Sequence, residues 1–273
     1  IEGEAGIGKS ALLADLERRA AEQGWTVLRG EGDAVENATA YFAWRAVLRA
    51  LLALDPLGAH TGRGEALRAL EALLADEAAA RERIALLNDV LALDLIESET
   101  TKAMEPQGRA DALRELVGTL LRRAAMRGPL LVVVDDAHWL DSASWALLGA
   151  AALRAPAVAF AVAQRPLSEP LPAGLRQLLA ADAQRLVLAP LVPADALRLA
   201  CVRLGVAALP RAAEALIVER AQGNPFFSEQ LALALRDAGH LVVEAGGCRL
   251  ARPDADLGAL GVPDTVQGVV TGR

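Results

Sequence analysis

The sequence predicts a parallel α/β domain with a large helical insertion, followed by a helical segment and the start of a further small domain. Three observations predict it. A glycine-rich turn, Gly3 to Gly8, runs through Lys9-Ser10 straight into an amphipathic stretch. Two continuous apolar runs, Leu130–Val134 and Ala157–Ala163, flank a helical pattern, which is the alternation of a parallel sheet. Beyond Pro190 the strand-like runs give way to three successive helical patterns.

Taken in order, Ser10 to Gln23 repeats its apolar residues at the helical period and stops at Gly24. Trp25–Arg29 reads as a short strand before the polar turn Gly30–Asp33. From Tyr41 to about Arg127 the pattern is helical throughout, with breaks near Asp55-Pro56, Thr61–Gly64 and Glu105-Pro106. Leu130–Val134 is a run of the kind covered on both faces of a sheet. Asp141 caps a helix reaching about Arg154, Ala157–Ala163 is a second strand, Pro172–Ala180 a short helix and Arg185–Leu188 a third buried strand. Asp195–Leu204, Arg211–Ala221 and Phe226–Ala238 then form helices, the last stopped by Gly239. Leu241–Val243, the Gly246-Gly247 turn and Cys248–Leu250 make a hairpin, and Pro263–Gln267 begins another helix. The expected boundaries are 1–190 for the α/β domain (insertion about 41–127), 191–240 for a helical lid, and 241–273 for the hairpin and the start of a truncated next domain.

Composition limits the function. The chain has 273 residues, 53% of them hydrophobic, and a formal charge of −7. Disorder needs low hydrophobicity, so a disordered chain is excluded. An acidic surface repels phosphodiesters, so direct nucleic-acid binding through bulk charge is not expected. Two cysteines and three scattered histidines form neither a disulfide framework nor a zinc pattern. Trp145–Ala163 imitates a membrane span, but Arg154 and Pro156 fall in its middle, and a buried helix followed by a strand explains it better. No signal-peptide pattern is read in the sequence, the composition is cytosol-like, and a cytoplasmic location is expected. The chain opens on Ile1-Glu2, immediately before the glycine turn, and is read as a piece of a longer polypeptide. The strand leading into Gly3 is thereby reduced to two residues, so exposed apolar edges and weak nucleotide binding are expected, both relieved by residues added upstream.

The chemistry sits in two motifs. Gly3-Glu4-Ala5-Gly6-Ile7-Gly8-Lys9-Ser10 fits the phosphate-loop pattern without a mismatch. Its glycines let successive backbone N–H groups turn inward on phosphates, and the following helix adds its positive dipole end. Lys9 would reach the β- and γ-phosphates, and the Ser10 hydroxyl would ligate Mg²⁺. Arginine is the default cation here, 26 against two lysines, so a lysine kept at position 9 points to a need for a compact ammonium. The second motif, Leu130–Val134 followed by Asp135-Asp136, ends a buried strand in two carboxylates, where ligands of open α/β folds bind. Asp135 is the expected Mg²⁺-side carboxylate and Asp136 the group that orients or deprotonates the attacking water. The plainer alternative is two acids at a solvated turn. Asp136 is one methylene shorter than the Glu of many vigorous ATPases, so slow turnover, suited to a timer or switch, is expected. GTP is disfavoured because no Asn-Lys-x-Asp segment follows a strand, and an ABC subunit because no Leu-Ser-Gly-Gly-Gln segment occurs.

With Gly3–Ser10, Asp135-Asp136-Ala137-His138-Trp139-Leu140-Asp141 and Gly223-Asn224-Pro225-Phe226-Phe227 in hand, the chain resembles the AAA-related signal-transduction ATPases with numerous domains (STAND). More narrowly it resembles the origin-recognition-like ATPase module of multidomain bacterial regulators. Pro263–Arg273 and the preceding lid are similar to versions fused to class III adenylate/guanylate cyclase domains. The resemblance implies a P-loop NTPase sheet that binds ATP and Mg²⁺ between the α/β domain and the lid, whose relative orientation changes on hydrolysis. It implies Arg165 as a sensor arginine contacting the γ-phosphate, although the usual Thr-x-Arg reads Ala163-Gln164-Arg165 here. It implies Pro225 as a lid proline against adenine; without the family, Gly223-Asn224-Pro225 is ordinary turn chemistry. The implied partners are ATP and ADP, other domains of the same polypeptide such as cyclase or TPR-type sensor domains, and further copies in nucleotide-dependent self-association. Two other readings stay open: a nucleotide-binding scaffold without hydrolysis, and the ATPase module of a LuxR-type transcriptional regulator.

Other candidates carry plainer roles. His138 and Trp139 suit packing and hydrogen bonding under the sheet more than catalysis, and Asp141 a helix cap. Tyr41-Phe42 and Trp44 sit at helical spacing and read as core. Arg122-Arg123 and Arg127 lie near a helix end, where solvated cations suit the dipole. No Ser/His/Asp triad can be assembled.

Overall fold

The structure, a computed structural model, describes residues 1–55, 63–181, 183–244 and 246–252. The chain forms two compact units: Ile1–Glu2 with Lys9–Val187, and Gly3–Gly8 with the chain from Leu188 onward.

The first unit is built on three parallel strands, β1 (Thr26–Glu31), β2 (Leu130–Asp135) and β3 (Val158–Val162), in the order β1-β2-β3. Every residue of the central strand is buried, as parallel pairing with cover on both faces requires. Because side chains alternate along a strand, β2 feeds two cores. Leu131 and Val133 meet Leu13 and Ala20 of α1 (Lys9–Glu22) on one face. Leu130, Val132 and Val134 join the larger core on the other, together with α2 (Phe42–Leu51), α3 (Arg63–Leu73), α7 (Pro106–Ala125) and α8 (Ser142–Arg154). Pro106 starts α7 at a position whose N–H has no helical partner, which is where proline suits a helix. The short helices α4 (Ala78–Arg81), α5 (Asn88–Leu91) and α6 (Glu99–Lys102) lie between α3 and α7, and α9 (Ala173–Ala180) packs on α8. Trp145–Ala163 is thus the body of α8 followed by β3, and among the described residues no helix is long and apolar enough to cross a membrane.

The second unit carries α10 (Pro193–Leu204), α11 (Arg211–Ala221), α12 (Pro225–Asp237) and the antiparallel hairpin β4 (Leu241–Glu244) and β5 (Gly247–Leu250). Its own core is Leu204, Leu216, Ile217, Leu231, Leu235 and Leu241 with smaller neighbours.

Several sequence expectations are corrected. The insertion is not helical throughout: after α5 ends at Leu91 the chain leaves the helix, Ala92 and Asp94 taking left-handed backbone (φ 47° and 52°) while Leu91, Leu93 and Leu95 stay buried. Asn88 closes this turn, its Nδ2 donating to Leu95 O and its Oδ1 accepting from Leu95 N, both at 2.9 Å. β1 continues through Gly30 and Glu31, which were expected in the turn, because its ladder with β2 extends to Glu31 opposite Asp135. Arg185–Leu188 is not a buried strand. Leu186 and Val187 are 50% and 61% exposed, and the segment bonds to the chain start through an isolated Glu2–Val187 bridge and the Glu2–Arg185 ion pair at 2.7 Å. A single bridging residue supplies no ladder to bury it. Arg123 and Arg127 are not merely solvated either: they donate to the Leu73 and Ala72 carbonyls, and Arg123 pairs with Asp76, fixing the end of α3. The helix expected at Pro263–Gln267 lies outside the described residues.

Candidate functional site

In the first unit Lys9 opens α1 and is buried, at 6% exposure, while the next residue, Ser10, is exposed. Asp135, the last residue of β2, is 2% exposed. A carboxylate so placed needs a counter-charge and hydrogen bonds. Asp135 has both: Arg29 Nη2 donates to its Oδ2 at 2.7 Å, and the Asp136 N–H donates to its Oδ1 at 2.9 Å. The other arm of Arg29 is held by Glu17 of α1. Burial works against the Arg29 charge, but the Glu17 hydrogen bond and the Glu17 and Asp135 carboxylates outweigh it and hold its pKa above the ordinary arginine value.

Asp136 adopts the left-handed conformation, φ 46° and ψ 39°, which a short polar side chain tolerates better than most. Backbone hydrogen bonds lock the turn from four sides. Gly32 N donates to Asp135 O at 2.9 Å, Trp139 N to Asp136 O at 2.9 Å, Ala137 N to Ala163 O at 2.8 Å, and Ala163 N to Val134 O at 2.9 Å. The acid pair is therefore tied to the ends of all three strands.

His138 follows in the turn, its ring buried against Trp139 at a centroid distance of 5.0 Å. Its Nδ1 lies 3.8 Å from Asp136 Oδ1, beyond hydrogen-bond reach, and neither ring nitrogen has a partner among the described residues. Packing under the sheet is as expected; the expected hydrogen bond is not there. Burial lowers its pKa; Asp136 opposes this, Arg165 and Lys9 add to it, and Asp135 opposes it. The same imidazole thus feels Lys9, Asp135, Asp136 and Arg165, four side chains from α1, the β2 end and the loop after β3. Asp141 caps α8, its Oδ1 accepting from Ala143 N and Ser144 N at 2.9 Å each. Tyr41 and Trp44 are core, Trp44 donating its indole N–H to Ser144 O, whereas Phe42 is half-buried with the Arg45 guanidinium 5.6 Å from its ring.

In the second unit the Gly3–Gly8 loop carries left-handed glycines at Gly6 and Gly8 and is anchored to the start of α12. Asn224 Nδ2 donates to Ala5 O at 2.9 Å, and Phe226 N donates to Gly6 O at 3.2 Å. Asn224 Oδ1 meanwhile caps α12 by accepting from Phe227 N at 3.3 Å, with Pro225 in the first helical turn. The approach is close enough to demand glycine: a Cβ at Gly6 would lie 2.8 Å from Asn224 Oδ1. Gly3 and Ile7 are buried and Glu4 is exposed.

One functional candidate escaped the sequence: Arg29 was legible only as a charge in an otherwise apolar strand. Asn224 was legible as a member of the Gly223–Phe227 motif and as a turn residue, but its bond to Ala5 was not.

A parallel three-stranded sheet with a glycine loop, a buried lysine and an acid pair at the central strand's carboxyl end fits a P-loop NTPase-type α/β fold. The AAA ATPase domain family matches residues 1–163, and the chain belongs to it. A domain of unknown function matches residues 194–249. Two curated relatives are adenylate cyclase type 10 of rabbit (Oryctolagus cuniculus) and of mouse (Mus musculus), each 22% identical over 231 and 232 residues respectively. These alignments cover 84% of this chain and 14% of each relative, so the chain spans a small part of their length. No solved structure matches the chain significantly.

Proposed function

We propose that the chain is an ATP-binding, slowly hydrolysing regulatory module of a multidomain signalling protein of the cyclase-associated kind. The observation that carries this reading is a buried carboxylate, Asp135, followed by Asp136 at the carboxyl end of the fully buried central strand, with the buried Lys9 opening the helix that packs on that strand. Phosphoryl transfer to water asks a protein chiefly for positioning and charge stabilisation, and these residue types supply both. Backbone N–H groups of Gly3–Gly8 and the Lys9 ammonium hold the phosphates. Asp136 orients the attacking water and accepts its proton, Arg165 stabilises charge on the γ-phosphate, and Pro225 lies against adenine.

Ser10 and Asp135 form an all-oxygen donor set of the sort Mg²⁺ takes while keeping waters and phosphate oxygens, so the residues present fit that ion. When bound, it neutralises phosphate charge. The Asn224 and Phe226 hydrogen bonds to the loop backbone give nucleotide occupancy a direct route to α12, which suits a switch.

A second reading, a scaffold that holds nucleotide without turning it over, is favoured by one observation: Arg29 already engages the Asp135 carboxylate. Phosphate release by the full chain with ATP and Mg²⁺ separates the two. Slow steady release is expected, reduced on the order of a hundredfold by Asp136→Asn with nucleotide binding retained, and Lys9→Ala is expected to weaken binding itself. Equal release from wild type and Asp136→Asn leaves the scaffold reading. Binding unchanged by Lys9→Ala overturns the phosphate-loop assignment.

A further inference from the structure

We propose that Arg29 is the resting counter-cation of Asp135, a placeholder that a divalent metal ion arriving with nucleotide must displace. The inference rests on the nucleotide-binding reading above and adds a regulatory element to it. In the parallel ladder Arg29 stands opposite Val133 and Glu31 opposite Asp135, so Arg29 and Asp135 share the sheet face that α1 covers. The guanidinium reaches along that face to Asp135 Oδ2, while Oδ1 is taken by the Asp136 N–H. Both oxygens of the candidate metal carboxylate are engaged.

The two partners are unequally placed. Asp135 is buried, and stripping its counter-charge without a replacement is costly. Arg29 is 36% exposed at its side chain and already shared with Glu17, so it can leave Asp135 and remain solvated and paired. A hard divalent cation is the replacement whose chemistry matches a carboxylate oxygen. The wild-type chain should therefore bind the metal more weakly than its carboxylate alone would allow, because each binding event has to break the Arg29–Asp135 pair.

The test uses the full chain, a non-hydrolysable ATP analogue and Mn²⁺ as the probe, with free Mn²⁺ read by electron paramagnetic resonance. Arg29→Gln is expected to tighten Mn²⁺ binding about tenfold, and to do nothing to it in an Asp135→Asn background. Arg29→Lys, which keeps the charge, should stay close to wild type. Unchanged or weaker Mn²⁺ binding in Arg29→Gln, or equal tightening in the Asp135→Asn background, overturns the proposal. If Arg29→Gln does not fold, Glu17→Gln decides: losing its second carboxylate commits Arg29 to Asp135, so Mn²⁺ binding should weaken, and no change sinks the idea. Binding of the analogue without metal, compared between wild type and Lys9→Ala, separates the two levels. Dependence on Lys9 with a flat Arg29→Gln response defeats only the Arg29 proposal; independence of Lys9 defeats both readings.

Discussion

His138 is a polar ring buried where no described residue hydrogen-bonds it, and that placement sets a pH dependence. Burial first, then Arg165 and Lys9, disfavour its protonated form, while Asp136 and Asp135 only partly compensate. The folded-state pKa is therefore below that of the unfolded chain, where a free histidine titrates near about 6.5. Between the two values the unfolded chain binds the extra proton, so stability rises with pH there. It is complete above the unfolded pKa and lost as pH falls toward the folded one. Thermal melting from about pH 7 down to about pH 5 should show a loss of stability that is smaller in His138→Gln than in wild type. Asp15, whose pKa is lowered by its Arg18 hydrogen bond, loses its contribution only below the ordinary aspartate range and so stays out of this window. Parallel losses in the two proteins would show that the imidazole is not responsible.

Helix α9 crosses α8 with the two backbones in close approach at Gly174 and Gly149. A Cβ added at Gly174 would lie 1.8 Å from the Trp145 carbonyl oxygen, and Gly149 faces the same crossing with Gly174 Cα 2.9 Å from its own added Cβ. Backbone cannot swing away as a side-chain tip can, so Gly174→Ala should cost about 3 kcal/mol, the upper range for overpacking. Gly108 in α7 has nothing within 4 Å of an added Cβ and no positive φ, so Gly108→Ala should be neutral or stabilising by up to about 1 kcal/mol. Urea unfolding of the pair checks both signs. Elements of this kind were readable where the chain speaks locally: Leu130–Val134 is a continuous apolar run ended by two acids, and Asp141 announces α8. They were unreadable where an irregular turn hides inside a leucine-rich run, as in Leu91–Leu95, where Ala92 and Asp94 take left-handed backbone that neither residue type announces. The candidate site divides in the same way. The glycine loop and the acid pair are contiguous stretches whose chemistry adjacent residues carry. Arg29 acquires its meaning from a carboxylate 106 residues away, and Asn224 from a carbonyl 219 residues away, and no local pattern encodes either.

The molecule as a whole holds its apolar residues in cores that share no member: one pair flanks the parallel sheet, and another lies among α10, α11, α12 and the hairpin. Each unit therefore has its own source of cooperativity, and a cavity made in one core should be felt first by the elements that line it. Ile217, fully buried in α11, is the sharpest probe because its side chain belongs to the second core alone. Ile217→Ala removes three carbons from a closed environment and should destabilise that unit by about 2–5 kcal/mol. Amide hydrogen exchange localises the loss. Protection should fall through Pro193–Asp237 by a factor consistent with that energy, while amides of β2, whose partners are β1 and β3, keep their rates. Uniform loss of protection across β2 and α11 would mean that the two cores unfold as one, and the regulatory reading would then have to treat the chain as a single cooperative body. Retained protection in β2 would mean that α12, with the Asn224 grip it carries on the Gly3–Gly8 loop, can open without disturbing the sheet that presents Asp135, as the proposed switch requires.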